Sequence, residues 1–138
     1  MAFKIYSVTD GTVPAWEWKP AAIGTYVQGL ACVNVTGYMT TVSSGVGQDT
    51  DEGAHWICVA NQVVATAGTM LPFIKANNDQ VVWETTLSAA DADIAVGLKY
   101  CIYTNGLQHD GTVTKGVFEV SYFAGTAIGS IVRGRFVE

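Results

Sequence analysis

The side chains with the clearest chemical potential are Asp49, Asp51, Glu52 and His55, crowded into and just beyond the glycine-bounded stretch Gly45–Gly53. Carboxylates and an imidazole can hold calcium or zinc. A calcium loop of the EF-hand kind, however, needs oxygen ligands at set spacings and a closing Glu, which this stretch lacks. It reads instead as a solvated acidic loop. Asp91 and Asp93 read as charges at the start of a helix. Two histidines, His55 and His109, and three cysteines, Cys32, Cys58 and Cys101, permit a nucleophile–base pair by count. No Gly-x-Ser-x-Gly elbow is present. His109 falls in the turn-like run Leu107-Gln108-His109-Asp110-Gly111, which predicts exposure to solvent, and His55 opens an apolar run beside Trp56 and reads as a structural histidine. Gly45-Val46-Gly47 lacks the third glycine and helix of a dinucleotide site, and no P-loop pattern occurs. The sequence therefore predicts no catalytic residue, no cofactor and no metal site.

The aromatic residues carry more information. Trp16 and Trp18 flank Glu17 in a segment bounded by Pro14 and Pro20. Each proline biases the residue before it toward extended backbone. On an extended chain residues two apart share a side, so both indoles face one way and Glu17 the other. Two readings follow: the indoles plug into a pocket on another protein, or they cover an open end of this protein's own barrel. Sugar stacking on exposed indoles is a third, and it lacks the clustered Asp, Asn and Arg that usually accompany it.

The elements that must position these residues read as strands. Apolar runs bounded by turn signals recur at Phe3–Thr9, Thr25–Thr36 (with Gly29 as a bulge), Tyr38–Val42, His55–Ala60 and Val63-Val64. They continue at Leu71–Lys75, Gln80–Thr85, Leu98–Thr104, Gly116–Phe123 and Ser130–Val137. Asp10-Gly11, Asn105-Gly106 and Asp110-Gly111 are turn dipeptides. Ser88-Ala89-Ala90-Asp91 has the form of a capping box and predicts a short helix over Ala92–Val96, stopped by Gly97. The predicted fold class is all-β: a single compact β-barrel or β-sandwich domain over residues 21–138, with an extended N-terminal arm over residues 1–20 and at most one short helix.

Composition narrows the partners. Of 138 residues, 49% are hydrophobic and only 14% charged, against roughly 25% in ordinary globular domains. That excludes a disordered acidic tail. The net charge of −5 has the wrong sign for a protein that works by neutralising phosphates, so no nucleic acid is predicted as a partner. No window approaches the ~20 apolar residues of a membrane helix, so no membrane is predicted either. The N-terminus lacks the apolar core of a secretory signal, and the three cysteines are odd in number and set in apolar runs. Both features predict synthesis in a reducing cytoplasm and free, buried thiols. A surface so poor in charge predicts self-association or docking onto something large. The interface candidates lie in the N-terminal arm: Phe3, Ile5, Tyr6, Trp16 and Trp18, on a segment suited to strand addition.

The order of segments resembles the small β-barrel decoration (cement) proteins of tailed-bacteriophage capsids, and the capsid-bound base domains of phage head-fibre proteins. The resemblance is carried by Lys19-Pro20-Ala21-Ala22 leading to Tyr26-Val27-Gln28-Gly29-Leu30-Ala31, by His55-Trp56-Ile57-Cys58, by Leu71-Pro72-Phe73-Ile74 and by Val82-Trp83-Glu84. Val96-Gly97-Leu98-Lys99-Tyr100, Gly116–Val120 and Gly129–Phe136 complete it. It implies a virion structural protein on the capsid exterior, partnered by the major capsid protein and by itself as a homo-oligomer, most often a trimer. It also implies synthesis in a bacterial host cytoplasm. The chain ends at Glu138 with no heptad or collagen-like shaft, which speaks against a projecting fibre. Another virion part, such as a head-fibre or tail base, and a glycan-binding β module are the alternatives.

Overall fold

The computed structural model describes residues 2–137; Met1 and Glu138, the outermost residues of the two segments expected above, lie outside them. The described chain is all-β. In chain order the strands are β1 (Lys4–Val8), β2 (Glu17–Ala21), β3 (Gly24–Tyr26), β4 (Ala31–Val35), β5 (Tyr38–Thr41), β6 (His55–Cys58) and β7 (Gln62–Val64). They continue with β8 (Thr69–Lys75), β9 (Val81–Thr86), β10 (Lys99–Ile102), β11 (His109–Asp110), β12 (Phe118–Phe123) and β13 (Ile131–Phe136). No helix among the described residues is long and apolar enough to cross a membrane.

Two layers share the strands. One is a six-stranded sheet in the order β1-β9-β13-β12-β10-β11; the other is a closed barrel, β2-β5-β4-β6-β8, with β3 and β7 paired beside it. The sequence pattern differs between the layers for a physical reason. In β9 and β13 apolar and polar residues alternate: Val81 and Trp83, Val132 and Phe136 are buried, while Glu84, Arg133 and Arg135 stand on the other face. One side of that sheet meets the core and the other meets water. Strands β4, β6 and β8 are apolar on both faces because both are covered. Ala31, Ile57 and Ile74 pack toward the six-stranded sheet, whereas Cys32, Cys58, Leu71 and Phe73 fill the barrel.

The core between the layers is aromatic. Phe3, Phe118 and Phe136 meet with ring centroids 5.2–5.6 Å apart, and Trp83 stands edge-on to Phe136 at 6.2 Å. Tilted and edge-on contacts of this kind set the negative ring face against a positive edge. Gly134 permits the close packing of β13 on β12, since a Cβ there would collide with the Glu119 carbonyl.

Several expectations need correction. Within the segment expected as an extended N-terminal arm, Lys4–Val8 is the outermost strand of the six-stranded sheet, and Glu17–Ala21 is a barrel strand paired with β8. The run Thr25–Thr36 is two strands, because at Gly29 (φ +87°) the chain turns to let the N-terminus cross. Ala92–Val96 forms no helix. The amide of Asp91 bonds the Thr126 carbonyl in the β12–β13 connection and that of Gly97 bonds the Val120 carbonyl of β12, tying both ends of the segment down, while Ile94 and Leu98 close only three-residue turns on Asp91 and Ala95. Asp91 caps only a local turn through the amide of Asp93, at 3.1 Å. The helical turn that does form is the 3-10 turn Thr50–Glu52, begun by the Asp49 side chain accepting from the amide of Asp51.

Candidate docking face

Trp18 is placed by β2, and Trp16 lies immediately before that strand. Trp18 lies opposite Pro72 of β8, and Pro20 lies opposite Met70. Residues opposite one another in an antiparallel pair share a face. The outward strip of the barrel is therefore Trp18, Pro20, Met70 and Pro72, while Ala21, Leu71 and Phe73 point into the barrel core. Glu17 and Lys19 project together on the opposite side from Trp18, their charged atoms 3.8 Å apart. Trp16 is 57% exposed and Trp18 62%. Trp56, by contrast, is half-buried against the barrel core with the Lys19 Nζ 4.3 Å above its ring.

The backbone beside the indoles is also available. Strand β2 touches β5 through a single parallel pair, Ala21 with Met39, together with the Ala22 amide donating to the Met39 carbonyl at 2.9 Å. From Glu17 to Pro20, β2 is paired with β8 on one side and with no described strand on the other. An open strand edge is a template for another extended chain. Pro20, which lacks an amide proton, limits the length of that template.

The other interface candidates fare differently. Phe3 is withdrawn: it is 3% exposed and wedged between Phe118 and Phe136, so it holds its own core together. Ile5 is half-buried and packs on the same core. Tyr6 is exposed, and the Arg133 guanidinium lies over its ring at 3.7 Å.

The titratable groups are mostly locked in. His109, expected in solvent, is buried; its ring packs on Tyr100 at 4.5 Å. Its place in a turn-like sequence hides the fact that β11 is clamped to β10. Burial pushes its pKa down to about 4, against the opposing pull of Asp91 and Asp110. His55 is buried as expected, its Nε2 on the Gly47 carbonyl, and burial lowers its pKa as well. Cys32, Cys58 and Cys101 are free and buried, and burial raises all three thiol pKa values, Cys101 to about 11. Among the described residues no three His, Cys, Asp or Glu side chains are grouped to hold a metal ion. A groove of about 630 Å³ at the seam between the layers is lined mainly by apolar residues, among them Ile5, Ile57, Val59, Ile74 and Trp83. Its one carboxylate, Glu84, is held by Arg133 and Lys4.

No family model matches the chain, and no curated protein or solved structure matches it either. Function must therefore be argued from the surface. Its least ordinary feature is a pair of exposed tryptophans beside an open strand edge.

Proposed function

We propose that this protein is a structural component of a virion, a decoration protein that binds the outside of an icosahedral phage capsid through the Trp16–Trp18 edge of β2. The observation that carries the reading is the exposure of both indoles, Trp18 on β2 and Trp16 just before it, beside a strand edge that is open among the described residues. Large exposed indoles are the side chains most often found at the energetic centre of an interface. An open edge offers main-chain hydrogen bonds to an extended segment of the capsid protein. The order of segments described above supplies the virion context. Further exposed apolar residues, Ile23, Val63, Met70 and Ile128, support association of the protein with itself, as a trimer on the shell.

The test is reconstitution of undecorated shells with wild-type protein and with the double variant Trp16→Ala/Trp18→Ala. Occupancy is read by cryo-EM and light scattering reports the oligomer. A true anchor costs about 2 kcal/mol or more when truncated, so occupancy should fall well over tenfold in affinity while the free protein melts as before. Full decoration by the double variant would reject this edge as the docking face. Absence of the wild-type chain from purified virions would reject the virion reading altogether.

A further inference from the structure

The outer face of the six-stranded sheet holds a second arrangement, distinct from the β2 edge. Four cross-strand neighbours run across it in a row: Lys4 of β1, Glu84 of β9, Arg133 of β13 and Tyr122 of β12. The Arg133 Nε donates to Glu84 Oε2 at 2.7 Å, and Lys4 Nζ holds the other carboxylate oxygen at 3.1 Å. The Arg133 hydrogen bond keeps the Glu84 carboxyl below its ordinary pKa, although the burial of that group works the other way; Lys4 adds to the lowering. The guanidinium also lies over two tyrosine rings, Tyr6 at 3.7 Å and Tyr122 at 4.6 Å, from strands on opposite sides of β13. An arginine held by its Nε and by two rings has lost most of the freedom it would otherwise give up on binding.

What this leaves unused is the fork. The two terminal amino groups of Arg133 have no hydrogen-bond partner among the described residues, and the side chain is 24% exposed. The surroundings favour an anion. On this one face stand Lys4, Lys99, Arg133 and Arg135 against Glu84, Glu119 and, at the β11 edge, Asp110, so 4 − 3 = +1 on a chain whose net charge is −5. Arg135 is itself fixed, its Nε donating to the Asp79 carbonyl at 2.9 Å. A planar guanidinium fork matches a carboxylate through two parallel hydrogen bonds.

We infer that this face is a carboxylate-recognition surface for an acidic segment of a protein partner, with the Arg133 fork as its anchor. Tyr6 and Tyr122 are the positioning residues that keep the fork planar and outward. Charge complementarity and the fork together choose the occupant: a locally basic patch on an acidic protein draws an acidic stretch, and the free fork takes one of its carboxylates.

The experiment is an NMR titration of the intact protein with a hexaglutamate peptide, with acetate and hexalysine as the other arms. Saturable shifts at the Arg133 Nε–H and along β1 and β13 are expected with hexaglutamate, and none with hexalysine. Arg133→Lys keeps the charge but not the fork, and should weaken hexaglutamate binding about tenfold. Tyr122→Leu should weaken it too with the Glu84 pair left in place. Equal binding by Arg133→Lys would overturn the inference, since the face would then act only as diffuse positive charge. Acetate binding as tightly as hexaglutamate would overturn the protein segment as occupant. No saturable shift with hexaglutamate at millimolar concentration would overturn the whole inference. None of these outcomes bears on the Trp16–Trp18 edge, because no shell is involved.

Discussion

Phe3 and Gly29 meet backbone to backbone, the Phe3 amide donating to the Gly29 carbonyl at 3.1 Å. The contact ties the first strand of the six-stranded sheet to the turn that leads into the barrel, and it explains the glycine. A Cβ at Gly29 would lie 2.5 Å from the Ala2 Cβ and 2.6 Å from the Phe3 carbonyl oxygen, at a φ of +87° that L-residues rarely adopt. Gly29→Ala should therefore destabilise the fold by about 2–4 kcal/mol, combining the backbone term with the clash. Phe3→Ala should cost about 3–5 kcal/mol through the cavity left between Phe118 and Phe136. Urea denaturation checks both; a Gly29→Ala variant as stable as the wild type would mean the N-terminus does not cross there.

That relationship also marks where sequence reading stops. Strands β9 and β13 were legible because one face is wet, and their alternation survives in the residue order. Strands β6 and β8 were legible as apolar runs because both faces are covered. Phe3 looked like a free arm residue because its partners lie far along the chain, at Gly29, Phe118 and Phe136. The same holds for β2. Its outward residues Trp18 and Pro20 give no half-buried alternation, so only pairing with β8 reveals it as a strand. Of the candidate face, the extended backbone through Trp18 could be read from the flanking prolines. The open edge beside it could not, since it depends on where β5 begins.

The thiols offer a test of the barrel core. Cys32 and Cys58 lie inside the barrel, and Cys101 is buried beneath the Thr114 carbonyl, with all three thiol pKa values raised by burial. A thiolate-selective reagent at pH 8 should label none of them rapidly in the native state and all three after denaturation. Rapid labelling of Cys32 in the native protein would show that the barrel opens far more readily than its packing implies.

The two buried histidines set an acid limit. The His109 pKa falls from an ordinary 6.5 to about 4 on folding, chiefly through burial, so between these values the unfolded chain binds more protons than the folded one. Stability must therefore drop as pH falls from about 6.5 to about 4, by roughly 3 kcal/mol for His109, whose contribution levels off below that while Glu84, held below its ordinary pKa, continues the loss. His55 acts in the same direction. Denaturation midpoints measured across this range should decline with acid, and His109→Phe should remove much of the slope while leaving the part due to His55. An unchanged slope in that variant would place the titrating group elsewhere.

The last prediction separates two roles for tryptophan. Trp56 is half-buried on the barrel core beneath Lys19, whereas Trp16 and Trp18 are both more than half exposed. Truncating Trp56 removes apolar contact with the core and the cation–π contact, and should cost about 2 kcal/mol of stability. Truncating Trp16 and Trp18 removes surface that water already covers, and should change stability by no more than about 0.5 kcal/mol. Docking should respond in the opposite order: Trp56→Ala, once folded, should still decorate shells, and Trp16→Ala/Trp18→Ala should not. Thermal melts and shell occupancy measured on the same three preparations decide it. If the double variant melts far below the wild type, the indoles are supporting the barrel after all, and the docking face must be sought on the loops Gly45–Gly53 or Asn105–Thr114.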